Sequence, residues 1–248
     1  MKFASASTYQ STLPRTQVST VAGFSLSQAI NHSSASYTLG TMLRTVRQLG
    51  VPRYLPEQLK SSKPLGEGET FSVTRDYLDG VIVAVKHVKL SATTRDGSFS
   101  LAKRLQSVLQ EVCIMQHEWL AKHPNVLSML GYGWVDTRGL PAPFLIVEWG
   151  YHGSLRDWLQ TDCKSIRSSK ASKVHVLCRD VFLCREVASG LTALHQCGIV
   201  HGDLKLDNVI VCRTPEQEFG VQLKISDFGH SIMLDATKKD YKYFGTSL

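Results

Sequence analysis

Residues 198–211 constrain this chain more tightly than any other stretch. Gly198-Ile199-Val200 leads into His201-Gly202-Asp203-Leu204-Lys205-Leu206-Asp207-Asn208, and Val209-Ile210-Val211 leads out. Short apolar runs of this kind read as buried strand pieces. They hold a compact polar loop between them. Within it, Asp203 can orient and deprotonate a hydroxyl, Lys205 can neutralise a transferring phosphoryl group, and the Asn208 carbonyl can hold a hard metal ion. A hairpin turn rich in Asp and Asn is the plainer reading. It leaves the lysine and the histidine without a reason.

Three further segments carry chemistry. In Leu65-Gly66-Glu67-Gly68-Glu69-Thr70-Phe71-Ser72-Val73 the glycines let the backbone come close to phosphate oxygens. A simple β-hairpin turn explains them as well. Lys86 ends Val83-Ala84-Val85-Lys86, 20 residues after Gly66. A lysine at the end of an apolar strand needs an acid or a phosphate partner, because burying an unpaired charge is costly. Glu111, 25 residues on in the helix-periodic stretch 101–121, is the candidate. The plainer readings are a solvated strand-end lysine and a solvated helix face. Finally, Ile225-Ser226-Asp227-Phe228-Gly229 places Asp227 19 residues past Asn208. An Asp there can chelate Mg²⁺ while the following Phe anchors in the core.

These pieces occur together and in one order, with His123-Pro124-Asn125-Val126 between them. In that combination the sequence resembles the protein kinase family, over about residues 60–248. The resemblance implies an α+β, protein kinase-like bilobal fold, with a β-rich N-lobe and an incomplete helical C-lobe. It implies ATP and Mg²⁺ as cofactors and a protein substrate with a Ser or Thr acceptor. By similarity, Leu65, Gly66 and Gly68 belong to the loop over the ATP phosphates, and Lys86 holds the α- and β-phosphates and pairs with Glu111. Val73 and Ala84 cover the adenine and Ile210 lies beneath it. Val147 is the gatekeeper, and the backbone of Glu148 to Gly150 bonds the adenine edge. Asp203 resembles the catalytic base, and Asn208 and Asp227 the metal ligands. Lys205, two residues after Asp203, is the Ser/Thr form of the loop. Met115, Met129, His201 and Phe228 match the apolar column that links the two lobes.

Three departures bear on activity. Gly202 replaces the arginine that receives the phosphate of a phosphorylated activation loop, which leaves Thr237, Tyr241 and Tyr243 weak phosphosite candidates. Phe71 replaces the third glycine. No Ala-Pro-Glu motif follows Gly245-Thr246, where the substrate-positioning loop is expected to start, and the expectation is a fragment or truncated gene product. An ATP-dependent Ser/Thr protein kinase is the leading reading. The alternatives are a non-catalytic pseudokinase or nucleotide-binding scaffold, and a small-molecule phosphotransferase that shares the core motifs.

Composition narrows the partners. Residues 1–56 hold five Lys/Arg and no acid, whereas the remaining 192 hold 23 Lys/Arg against 21 Asp/Glu. The motif-bearing part is therefore nearly neutral, and its charge argues for no nucleic-acid partner. No apolar run reaches the roughly 18–20 residues of a membrane span. The six cysteines lack C-x-x-C spacing, so zinc is not expected; Cys113 and Cys184, among apolar neighbours, read as core thiols of a reduced compartment. The expected location is cytoplasmic, with organellar transit through residues 1–56 as the alternative. The expected organisation is a disordered tail (1–37), an amphipathic helix and linker (38–58), an N-lobe with hinge (59–152) and a partial C-lobe (153–248). In the helix, Leu39, Met42, Leu43, Val46 and Leu49 share one face, which packs on the first lobe or on a partner. Residues 161–180 read as an irregular basic insertion. Oligomeric state is not readable.

Overall fold

Strand periodicity sets the first layer. A computed structural model describes residues 20–21, 24–25, 37–90, 101–137, 140–168, 172–217 and 219–234. Strands β1 (Leu59–Glu67), β2 (Phe71–Leu78), β3 (Val81–Val88), β4 (Met129–Thr137) and β5 (Leu140–Glu148) form an antiparallel sheet in the order β1-β2-β3-β5-β4. Successive side chains on a strand point to opposite faces. On β3 this sends Val83 and Val85 to one side, into a cluster with Leu78, Phe144 and Ile146. Ala84 and Lys86 therefore share the other side, beside Val147 and Leu145 of β5.

That second face is covered by helices. The 38–50 stretch forms α1 (Leu39–Gln48), whose start is capped by the Thr38 side chain accepting from the Thr41 N–H at 3.2 Å. Met42 and Val46 are fully buried in the main core. This helix packs on the first lobe, which settles the choice between lobe and partner. Helix α2 (Leu101–Met115) brings Leu105, Val108, Leu109, Val112 and Met115 to the same core, following its i, i+3, i+4, i+7 pattern.

The second half is helical and lies on small hairpins. Helices α3 (Leu155–Ser168) and α4 (Lys173–Gln196) run through the stretch that reads as an irregular insertion at 161–180. That expectation is corrected. No Gly or Pro occurs between Gly153 and Gly190, and the Ser172 side chain caps α4 by accepting from the His175 N–H at 3.2 Å. Residues 161–173 (TDCKSIRSSKASK) are rich in Ser, Lys and Arg, so the sequence there reads as polarity, although Val174, Leu177 and Val181 follow at helical spacing. Strand β6 (Ile199–Val200) pairs with β9 (Ile232–Met233), and β7 (Val209–Arg213) pairs with β8 (Val221–Ile225), both antiparallel. Val209, Val211, Val221 and Leu223 pack against Leu155, Phe182 and Leu183 of the helices.

Cys113 is buried as expected, and burial pushes its thiol up to about 12. Cys184 is exposed, because the helical repeat puts it on the outer face of α4. Of the expected N-terminal tail, only Tyr37 and a two-residue strand pair, Thr20–Val21 with Phe24–Ser25, fall within the description. Thr237, Tyr241, Tyr243 and the Gly245-Thr246 segment lie outside the described residues, as does the side chain of Cys163. Among the described residues no helix is long and apolar enough to cross a membrane.

Candidate active site

The site begins at the end of β3. Lys86 Nζ meets the Glu111 carboxylate of α2 in an ion pair. Glu111 is completely buried, and its second oxygen has no hydrogen-bond partner among the described residues. Burial pushes this carboxyl up; Lys86 pulls it back and Asp227 pushes it further up. Removing one partner of such a pair typically costs about 3–5 kcal/mol, because the other charge stays buried. The Phe71 ring, at the place of the expected third glycine, lies 4.3 Å from Lys86 Nζ and adds a cation–π contact.

The glycine-bearing turn between β1 and β2 closes through Gly68 N–H to the Phe71 carbonyl at 2.8 Å. Lys89 donates to the Gly68 carbonyl at 2.7 Å and pairs with Glu67 at 2.6 Å. Lys89 does not stand out in the sequence, because a second lysine after an apolar strand looks like any solvated one. Val73 stands opposite Lys86 and Ala84 opposite Val147, so these lie on the face named for them. Leu65 is half-exposed at the rim.

The polar loop is fixed by the strands at its ends, β6 and β7. His201 is buried, and its Nε2–H donates to the Ser226 carbonyl at 2.9 Å, so Nδ1 is free to accept the Asp203 N–H at 3.3 Å. These bonds select one neutral tautomer. Burial lowers the imidazole pKa, against a smaller upward pull from the Ser226 carbonyl. Lys205 Nζ reaches Asp203 Oδ2 at 2.8 Å, and Asn208 Nδ2 donates to the Asp203 carbonyl at 2.8 Å and to its Oδ2 at 3.1 Å. The Ser226 N–H and hydroxyl both donate to the Asn208 carbonyl, at 2.9 and 3.0 Å. The loop and the Ser226-Asp227 segment are therefore one bonded unit. Gly202 sits at φ +78°, and a Cβ there would collide with the His230 carbonyl, so a glycine meets a real backbone demand.

Asp227 adopts a left-handed conformation, φ 62° and ψ 69°. A non-glycine residue held there marks local strain of the kind found at functional sites. Phe228 is fully buried, its ring 5.5 Å from that of His201, in the same core as Met115 and Met129. Helix α2 is tied directly to this segment. Ser107 donates to the Gly229 carbonyl at 3.1 Å, and Gln110 donates to the Ser231 carbonyl. Neither residue stands out in the sequence, since each is an ordinary polar helix residue until the fold is known.

Toward β5, Val147 is buried and Gly150 lies against Ile210. The Glu148 N–H is committed to the Ser128 carbonyl at 3.1 Å. Its carboxylate accepts the Ser128 N–H at 2.6 Å and pairs with Lys224 at 2.9 Å. Asp207, also in the loop, turns away and pairs with Arg156 at 2.9 Å. Electrostatic coupling runs from Lys86 through Glu111 to Asp227, and from Asp227 through His201 to Asp203. Asn208 is thus bonded to Asp203 and to Ser226, the residue before Asp227, while Lys86 and Asp227 both act on the Glu111 carboxyl.

The sequence profile of the protein kinase domain matches residues 59–248. The chain belongs to the protein kinase family. It is 30% identical over 183 residues to fibroblast growth factor receptor 1 of Dugesia japonica, covering 72% of this chain and 20% of that protein. Identity to the mitogen-activated protein kinase kinase kinase bck1 of Aspergillus fumigatus is 30% over 193 residues, 75% of this chain and 10% of the relative. Serine/threonine-protein kinase RUNKEL of Arabidopsis thaliana is 35% identical over 136 residues, 55% of this chain and 8% of the relative. The chain thus spans a fifth or less of each of these relatives' length. The curled sheet and helices are the protein kinase fold, and the family uses ATP with a divalent metal on protein substrates.

The donors present fit such a metal. Among the described residues no three His, Cys, Asp or Glu side chains gather as a metal cage. Hard cations of the magnesium type need only one or two protein oxygens when phosphates supply the rest. Asn208 spends its amide N–H groups on Asp203, which leaves its side-chain oxygen to serve as a ligand, and its backbone carbonyl is bonded by Ser226, the residue before Asp227.

Proposed function

We propose that this chain transfers the γ-phosphoryl group of ATP to a Ser or Thr hydroxyl of a protein substrate, with Mg²⁺ held by Asn208 and Asp227. The observation that carries this reading is the bonded unit of Asp203, Lys205, Asn208 and Ser226, coupled through Asp227 to the Lys86–Glu111 pair. Lys86 neutralises phosphate charge and is itself positioned by Glu111. Gly66 and Gly68 let backbone N–H groups near the phosphates, while Leu65, Val73, Ala84, Val147 and Ile210 enclose the base, with Glu148 and Gly150 along its edge. Asp203 aligns the acceptor hydroxyl and takes its proton, and Lys205, 2.8 Å from Asp203 Oδ2, sits where the transferred group gathers charge. The metal, when bound, offsets negative charge on the phosphates. Lys205 supports the Ser/Thr acceptor, because a lysine at this place is the Ser/Thr form of the loop.

The test is Asp203→Asn in the full chain. Transfer of labelled phosphate to a protein acceptor is expected to fall by roughly 10²–10⁴-fold, with ATP affinity changed little. Equal loss of both argues against the role of Asp203. Phosphoamino-acid analysis yielding phosphotyrosine alone would overturn the acceptor assignment. A wild-type chain that binds ATP yet transfers nothing would favour the scaffold alternative.

A further inference from the structure

We propose that residues 37–54 form a built-in strap that holds α2 inward and so positions Glu111 against Lys86; this rests on the kinase reading above. At one end of the strap, α1 packs on α2. Met42 and Val46 are fully buried in the core that contains Leu105, Val108, Leu109 and Val112 of that helix, and Leu39, Leu43 and Leu49 close its flanks. At the other end the chain leaves α1 through buried Val51 and pairs with β4. The Tyr132 N–H donates to the Pro52 carbonyl at 2.9 Å, and the Tyr54 N–H returns a bond to the Tyr132 carbonyl at 2.8 Å. The Arg53 guanidinium stacks 3.8 Å over the Trp134 ring. Gly131 and Gly133 admit this close approach, since a Cβ at either would collide with Tyr54.

Strand β4 is an edge of the five-stranded sheet, and the strap occupies its open side. One continuous segment is thereby anchored to the rigid sheet and to the outer side of α2. The inner side of α2 carries the site. Glu111 is buried with one oxygen lacking a partner among the described residues, while Ser107 and Gln110 bond the segment after Asp227. A buried carboxylate satisfied on one oxygen only has an incentive to swing out to water. The apolar grip of Met42 and Val46 opposes that swing. Met42, Val46 and Tyr54 are therefore positioning residues that act through Glu111.

The test is a double-mutant cycle on Mg-ATP affinity, measured by calorimetry on the full chain. The variants are Met42→Ser with Val46→Ser, Glu111→Gln, and all three together. The strap variant is expected to weaken binding about tenfold, and the combination to be no weaker than Glu111→Gln alone, because interacting sites are not additive. Met42→Leu should restore wild-type affinity. Should the serine pair fail to fold, Val46→Thr, which keeps the shape, carries the same cycle. Unchanged affinity in the strap variant, or losses that multiply with Glu111→Gln, overturns the positioning role and leaves the kinase reading standing. A wild-type chain that does not bind Mg-ATP overturns both.

Discussion

Two amphipathic helices in this molecule meet opposite fates. Helix α1 buries the centre of its apolar face, with Met42 and Val46 at 0% exposure and Leu39, Leu43 and Leu49 half-buried around them. Helix α4 buries Phe182, Leu183 and Leu194 on one side but leaves Val174, Leu177 and Val181 at 69%, 63% and 60% exposure on another. The spacing of those three, i, i+3 and i+7, is as regular as that of α1. Periodicity therefore says that a helix has a face, not that the face is covered. What separates the two is the connection each face makes. The α1 face reaches the site through α2, whereas the outer α4 face reaches water.

The sharpest way to break this comparison is Met42→Ala. It is expected to lower stability by about 2–5 kcal/mol, read from the midpoint of urea unfolding followed by fluorescence. A loss below about 0.5 kcal/mol would mean that the α1 face is no better covered than that of α4. Next comes Asn125→Ala. Its amide donates to Glu186 at 2.7 Å and to the Leu223 carbonyl at 3.0 Å, tying the loop before β4 to the inner side of α4. Loss of those bonds strands a buried carboxylate and should cost about 1–3 kcal/mol in the same assay. At the small end stands Leu177→Ser on the outer face. Its effect on the midpoint should stay within about 0.5 kcal/mol, while light scattering at high concentration should decrease as the apolar stripe is interrupted.

Acidity offers a fourth probe. Burial holds the imidazoles of His87, His117, His123 and His201 below their ordinary range. As pH falls through about 6.5, the unfolded chain takes up protons that the folded one resists. Their contribution to stability is thus complete above that pH and is lost as pH drops through their lowered values. Glu111 runs the other way. Its carboxyl is raised by burial, so its contribution is complete below the ordinary carboxylate range and is lost as pH climbs through the raised value. Thermal midpoints measured across pH should decline on the acid side, and Glu111→Gln should remove the component that weakens as pH rises. A flat acid limb would contradict the histidine assignments.

Much of the site was legible because its residues are unusual for their places. A lysine closing Val83-Ala84-Val85, and an Asp-Lys-Asn set between Val200 and Val209, conflict with simple burial, and such conflicts mark function. Glu111 was legible from the partner that Lys86 requires. The residues that position these groups were not. Ser107, Gln110 and Lys89 are polar residues on polar surfaces until α2 and the glycine turn come together, and nothing local separates them from solvated neighbours. The helices across 161–180 were hidden for another reason: the run 161–173 is rich in Ser, Lys and Arg and masks the regular spacing of Val174, Leu177 and Val181 that follows it. Cys184 was misplaced because its neighbours Phe182 and Leu183 are apolar, yet the helix turns it about 100° per residue away from them. The destination of α1 was open because an apolar face does not name its partner.

The central claim is that Lys86, Asp203, Asn208 and Asp227 enclose one metal–nucleotide. Calorimetric titration of the full chain with ATP, with and without Mg²⁺, for wild type and Asp227→Asn tests it most directly. The account predicts one saturable site in the wild type, tightened by Mg²⁺, with that tightening lost in Asp227→Asn. Equal Mg²⁺ dependence in the two proteins would contradict it.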